Sequence, residues 1–155
     1  MATLTITHTE SVSLGDGTTE RGTTNIKTVD INEVDHRIMD VPTSYSTIIK
    51  FGATAGAGTF KDDTVKYLRI TNLDPSATVT LRVKGSSKEY FVKLEAEGHY
   101  IIYNNDFDAH ENKDSCNPDS TSETVGDAES LANIDLIAAK ASTACQIEYF
   151  IGSQD

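Results

Sequence analysis

The chain has 155 residues, 37% of them hydrophobic and 7% aromatic, and its 13 basic and 24 acidic residues give a formal net charge of -11 at pH 7. This length fits about one domain of roughly 150 residues, which is large enough to bury a core without disulfide bonds. Because the negative charge opposes contact with nucleic-acid phosphates and anionic lipids, we expect neither nucleic acid nor a membrane as a partner.

The N-terminal region, residues 1–33, differs in composition from the rest. Thr3–Thr9 alternates between threonine and other residues, as a strand would, but residues 10–29 are polar and hold too few large apolar side chains for a core element. Two interpretations follow: an edge hairpin, or an extended arm that packs on a neighbouring subunit. We therefore divide the chain into an N-terminal arm or edge hairpin (1–33) and a β-domain (34–155).

Apolar residues at every second position dominate the rest of the chain, a pattern typical of β-strands. We predict strands over Val34–Val41, Thr47–Phe51, Val65–Thr71, Ser76–Val83, Glu89–Leu94, His99–Tyr103 and Thr143–Ile151. Residues 65–71, 89–94 and 99–103 are apolar on both faces, which favours central strands. Asn72–Pro75 predicts a hairpin turn between two of these strands.

Two later segments are less regular. Residues 127–141 fit a helix and a strand about equally, and we predict a strand from about Asn133, with a preceding helical turn left open. Residues 104–130 hold eight acidic residues and one base, so they carry -7 of the total charge and predict an acidic loop that projects into solvent. The expected fold class is all-β: an antiparallel β-sandwich, jelly-roll-like, with an extended N-terminal arm or hairpin.

The sequence offers little catalytic chemistry. It has no nucleophile elbow, no zinc-protease motif and no Cys-x-x-Cys pair, so we expect no catalytic residue, no cofactor and no enzymatic activity. His36 and His99 fall within strand patterns and are predicted to pack there instead of binding a ligand. Cys145 alternates with apolar residues and is predicted to be a buried thiol, whereas Cys116 lies in the acidic segment.

The acidic segment contains the weak candidates for a metal site, Asp106 and Asp108. They begin like a calcium loop, which supplies oxygen ligands at alternate positions. Glu111 stands where the loop needs glycine, and Asn117 stands where it needs a bidentate glutamate. An EF-hand is therefore excluded, which leaves a looser surface cation site or a solvated loop.

Four segments, Gly22–Asp30, Ile31–Ser44, Tyr67–Asp74 and Phe91–Tyr103, carry a resemblance. In their order along the chain and in their residue patterns, they resemble small virion proteins of tailed bacteriophages of cyanobacteria and other aquatic bacteria. The resemblance implies a capsid decoration (cement) protein, a class that is typically β-rich, often trimeric, and clamps neighbouring capsid subunits. A tail, baseplate or fibre component is the alternative among virion proteins. A stand-alone carbohydrate- or ion-binding β-sandwich is the alternative outside them.

The expected partners are the major capsid protein or other virion proteins, together with further copies of the chain in a homotrimer. The N-terminus has neither a basic segment nor an apolar core, so we expect no signal peptide, synthesis in the host cytoplasm, and a final location in the virion. Residues of the arm are predicted to form the interface, namely Thr3, Leu4, Ile6, Thr24, Ile26 and Val29.

Overall fold

The computed structural model describes residues 2–12, 15, 21–56, 58–61, 64–85, 89–102 and 134–154. The regular elements in these ranges are β1 (Ala2–Val12), β2 (Arg21–Ile31), β3 (Glu33–Val41), β4 (Ser46–Gly52), β5 (Thr59–Lys61), β6 (Val65–Asn72), β7 (Val79–Gly85), β8 (Glu89–Leu94), β9 (His99–Ile102), β10 (Ile134–Ala141) and β11 (Cys145–Ser153). In this part of the chain, no helix has the length and apolar character needed to cross a bilayer.

Two sheets enclose one hydrophobic core. The first has the order β5-β4-β10-β7-β8 and the second the order β3-β11-β6-β9, and every pairing is antiparallel except β4 with β5. Because each strand alternates between faces, one set of side chains from each sheet meets in the middle. The predicted all-β sandwich is confirmed.

The alternation of β7 and β11 explains why they line the core. Val79, Leu81 and Val83 of β7 are fully buried, while the residues between them point outward. In β11 the buried set runs from Cys145 through Ile147 and Tyr149 to Ile151. Both segments follow the predicted pattern, and the strand predicted from about residue 133 begins at Ile134.

The strands of the sandwich pair in a nested order. β3 pairs with β11, β4 with β10, β6 with β9, and β7 with β8, so the first strand meets the last and the two innermost strands meet each other. Successive pairs alternate between the two sheets. The paired strands therefore form one long antiparallel ladder that folds around the core, and β5 is added at the edge of the first sheet.

The predicted hairpin at Asn72–Pro75 is wrong. This segment links β6 and β7, which lie in different sheets, so the chain crosses the end of the sandwich there. The fully buried Asn72 donates hydrogen bonds from Nδ2 to the carbonyl oxygens of Ala77 (2.7 Å) and Glu95 (2.9 Å). Asp74 accepts from the backbone N–H of Ala77 (2.7 Å) and thereby closes a tight turn. The sequence predicted a turn at this position, but it did not predict that the turn connects two different sheets.

The prediction that residues 89–94 and 99–103 are central strands is also wrong. β8 and β9 are edge strands of their sheets, whereas β6 is central as predicted. Their inward apolar side chains face the core, and the Tyr90 and Tyr100 hydroxyls meet at 2.9 Å where the two edges come together. Phe91, the apolar residue on the outward face of β8, is 55% exposed, so the second apolar face of this strand lies on the surface.

Candidate functional site

The N-terminal hairpin is the part of the described structure that stands apart from the sandwich. β1 and β2 pair antiparallel over their whole length, from Ala2 opposite Ile31 to Val12 opposite Arg21, in a two-stranded sheet of their own. Almost all its residues are exposed. We refer to residues 2–31 as the hairpin arm.

The base of the hairpin arm packs against β11. Ile31 is buried, and the next residue, Asn32, donates a backbone hydrogen bond to Ser153 O (2.9 Å). A Cβ added at Gly152 would lie 3.4 Å from Leu4 Cδ2 and 3.4 Å from Ile31 Cγ2. The base of the arm therefore lies within van der Waals distance of residue 152, where a methyl group would fit but a larger side chain would meet Leu4 and Ile31.

The register divides the predicted interface residues between two faces. Leu4, Ile6 and Val29 share one face and are half-buried near the base. Thr3, Thr24 and Ile26 share the opposite face and are exposed, and Ile26 keeps 67% of its surface exposed. The six residues therefore belong to one element, but they do not form one continuous patch.

The exposed face of the arm consists mainly of threonines. It holds Thr3, Thr5, Thr7, Thr9, Thr24 and Thr28 around the single large apolar residue Ile26. Thr9 Oγ1 and Thr24 Oγ1 lie 3.3 Å apart, which joins the two strands on this face. Such a surface offers β-branched methyl groups for packing and hydroxyls for hydrogen bonds.

His36 and His99 lie within strands β3 and β9, as the sequence pattern predicts, and His36 packs against the Phe150 ring at a centroid distance of 6.0 Å. His36 and His99 are exposed on the outer face of the second sheet. His36 Nε2 lies 2.5 Å from Glu148 Oε1, and Arg69 donates to Glu148 Oε2 at 2.8 Å, so one carboxylate joins three neighbouring strands. The described residues contain no group of three or more histidine, cysteine or acidic side chains arranged to hold a metal ion.

A small cleft of about 180 Å³ opens between β3 and β5 at one edge of the sandwich. One of its lining side chains, Asp35, accepts hydrogen bonds from Arg37 Nε (3.0 Å) and from the Tyr149 hydroxyl (3.1 Å). Burial, with the nearby Asp35 charge, raises the pKa of Tyr149 to about 12, so this hydroxyl stays protonated at neutral pH. The arrangement holds the edge together and presents no activated nucleophile.

The cysteine prediction is confirmed for Cys145, which is a free and buried thiol. Burial, with a smaller contribution from the Asp74 charge, raises the pKa of this thiol and keeps it unreactive. Cys116, Asp106, Asp108 and the whole acidic segment 104–130 lie outside the described residues.

Two exposed aromatic residues were missed by the sequence reasoning. Tyr45 and Phe91 contact each other on the outer face of the first sheet, with ring centroids 6.4 Å apart. They are 46 residues apart in the sequence, so alternation within one strand could not pair them. The available signal was Phe91 itself, a large aromatic residue at the polar phase of β8.

Comparisons of the chain with protein-family models, with curated proteins and with solved structures found no match.

Proposed function

We propose that this protein is a non-enzymatic structural component of a virus particle, specifically a capsid decoration protein. The observation that carries the proposal is the hairpin arm, eleven residues long on each strand and exposed along most of its length. An isolated two-stranded hairpin is at best marginally stable in water. Among the described residues, only those at the base of this arm pack on the sandwich, which favours further contacts with a neighbouring protein.

The edges of the arm support the same proposal. β1 and β2 pair with each other and with no other strand of the described structure, so each presents an outer row of backbone N–H and C=O groups. Exposed edges of this kind can pair with a strand of another chain. The threonine face and the two unpaired strand edges together would give a decoration protein both packing area and directional hydrogen bonds for contact with capsid subunits.

The strand order of the sandwich is compatible with a particle component. Nested pairing that alternates between two sheets is typical of a jelly roll, an architecture used by viral capsid and lectin domains. Fold alone does not define function, so the strand order adds only modest support. The resemblance of residues 22–44, 67–74 and 91–103 to small virion proteins of tailed phages gives the proposal its particular form.

The first test is the native mass of the purified chain by size exclusion with light scattering. We expect a homotrimer near three times 16.8 kDa. Ile26→Asp places a charge at the centre of the threonine face and should dissociate the trimer. Ile38→Asp makes the same change at a residue of β3 that is 60% exposed, and it should leave the trimer intact.

Deletion of Thr3–Val29 tests the arm as a whole. We expect the truncated protein to lose both trimerisation and binding to purified particles. Emptied capsids and isolated tails, assayed separately for binding of the intact chain, distinguish a decoration protein from a tail, baseplate or fibre component. Normal assembly of the truncated chain would contradict the proposal.

A further inference from the structure

The outer face of the five-stranded sheet combines basic and aromatic side chains. Residues opposite each other in the register share a face, and on this one Arg82 lies opposite Phe91, Lys84 opposite Leu136, and Leu136 in turn opposite Lys50. We call this surface the basic aromatic face; its members are Tyr45, Lys50, Arg82, Lys84, Phe91, Lys93 and Lys140.

The centre of this face is an exposed aromatic pair. Tyr45 is 43% exposed and Phe91 is 55% exposed, and their rings are tilted by 51°. Arg82 Cζ and Lys140 Nζ each lie 5.9 Å from the centroid of the Tyr45 ring, within the range of a cation–π contact. Two cations thus hold the tyrosine ring against the sheet and leave the rings open to solvent.

One small residue, Ala138, occupies the outer phase of β10 next to this cluster. Ala138 lies opposite Arg82 in β10 and opposite Thr47 in β4, on the outer phase of the strand, yet it is buried. Arg82, directly opposite Ala138, and Lys140, two residues further along β10, both lie 5.9 Å from the centroid of the Tyr45 ring.

The charge of the face opposes that of the chain. Five of the 13 basic residues lie on it, in a protein with a net charge of -11. Glu89, which pairs with Arg82, and Asp135 beside Lys84 are its acidic neighbours, and Lys93 pairs with Glu95 at 3.0 Å in the following turn. Lys50 and Lys84 form no ion pair with a described residue.

We propose that the basic aromatic face binds an anionic carbohydrate chain, one that carries carboxylates on its sugar rings. The face of an aromatic ring is electron-rich, so the C–H groups of a sugar ring pack against it favourably. Lysine and arginine side chains around the rings complement the carboxylates. The acidic remainder of the protein repels the same polymer, which confines binding to this face.

A nucleic acid would fit the same side chains less well. Duplex DNA carries about one charge per 1.7 Å of its axis, so the net charge of -11 repels it strongly. A uronic-acid chain carries one charge per sugar and suffers less repulsion than duplex DNA. A single strand, with one charge per nucleotide, is therefore the nucleic acid that has to be tested against it.

The test is calorimetric titration of the full chain with a galacturonic-acid hexamer at low salt. The methyl-esterified hexamer has the same backbone without charge, and a single-stranded thymidine oligonucleotide tests the nucleic-acid alternative. We expect binding of the uronic-acid hexamer, weakening as salt increases. We expect much weaker binding of the methyl ester and of the oligonucleotide.

Variants locate the site. Lys84→Gln with Lys140→Gln should weaken binding of the hexamer by roughly twofold to thirtyfold, as the loss of two exposed charge contacts predicts. Phe91→Ala should weaken it too, and with less effect on its salt dependence. Lys27→Gln with Lys66→Gln changes the net charge equally at other sites and should alter binding less than about twofold.

Three outcomes would overturn this inference: no binding of the hexamer at millimolar concentration, equal loss in both double variants, or tighter binding of the oligonucleotide. Circular dichroism and thermal melting of each variant identify any variant that fails to fold, and Phe91→Ala and the lysine pair test the face independently. The outcome does not depend on the proposed role in a virus particle, since the face lies on a different element from the hairpin arm.

Discussion

Replacement of Asn72 by alanine should destabilise the domain far more than the same replacement of an exposed asparagine would. Asn72 is fully buried at the crossover from β6 to β7. Its Nδ2 donates to Ala77 O and Glu95 O, and its Oδ1 accepts from Asp74 N at 3.1 Å. Three hydrogen bonds, two within the crossover and one to the turn that follows β8, therefore depend on one side chain.

The magnitude follows from the count of bonds lost. Each hydrogen bond contributes about 0.5–1.5 kcal/mol net, and a buried group left without its partner costs more. We therefore expect Asn72→Ala to lower the free energy of unfolding by roughly 2–4 kcal/mol. For a domain of this size, that corresponds to a fall in Tm of about 5–12 °C.

Asn72→Asp separates hydrogen bonding from packing because the two side chains have nearly the same shape. The new carboxylate would place an oxygen against the carbonyl oxygens of Ala77 and Glu95, where an N–H group now donates. At neutral pH we expect a loss at least as large as that of Asn72→Ala. The penalty should shrink in acid, where the protonated carboxyl can donate one hydrogen bond.

Urea denaturation followed by circular dichroism measures these free energies, provided the transition is two-state. The matched control is Asn25→Ala, at an exposed position of the hairpin arm, and it should change stability by less than about 0.5 kcal/mol. If Asn72→Ala also fell within about 0.5 kcal/mol of the wild type, the crossover would not depend on this network and the reasoning would be refuted.

Three further predictions concern pH, thiol reactivity and the base of the hairpin arm. Hydrogen bonds from Ala77 N and Ser76 lower the pKa of the Asp74 carboxyl in the folded protein below its ordinary value of 3.8. These bonds therefore stabilise the fold above pH 3.8, and the stabilisation is lost as the pH falls through the lower pKa of the folded state. Asp74→Asn should thus be destabilising at pH 6, and the difference from the wild type should narrow in urea titrations below about pH 3.8. In a Cys116→Ser background, Cys145 should react with a thiol reagent only slowly in the folded protein and rapidly in denaturant, because burial protects the thiol and raises its pKa; fast reaction of the folded protein would contradict its burial. Gly152→Val should loosen the hairpin arm, whereas Gly152→Ala should be tolerated, since a lone Cβ meets its nearest neighbours at 3.4 Å; amide exchange across β1 and β2 measures the loosening, and unchanged exchange in the valine variant would contradict the packing.

Much of the sandwich could be predicted because burial acts on each strand separately. The alternation in β7 and β11 follows from one face meeting the core, so the sequence alone placed Leu81 and Ile147 inside. The position of β8 and β9 at the sheet edges could not be predicted in this way. An apolar second face fits either a central strand or an exposed patch, and Phe91 belongs to the patch.

The candidate sites divide along the same line. The hairpin arm was foreseeable, because residues 10–29 are too polar to form part of a core, yet the division of Ile6 and Ile26 between two faces depends on the register of the hairpin. The basic aromatic face was not foreseeable, because Tyr45 and Phe91 meet only when β4, β10, β7 and β8 lie side by side.

By itself, the sequence determined the class of structure, because its period of two and its turn residues specify strands. Only the tertiary structure decided which strands are neighbours, because pairing between distant segments depends on how the whole chain wraps around its core. Asn72 illustrates the difference. The Asn-Leu-Asp-Pro segment encodes a reversal of the chain, but the hydrogen bonds of the buried amide reach Ala77 and Glu95, and these bonds carry the reversal across to the other sheet.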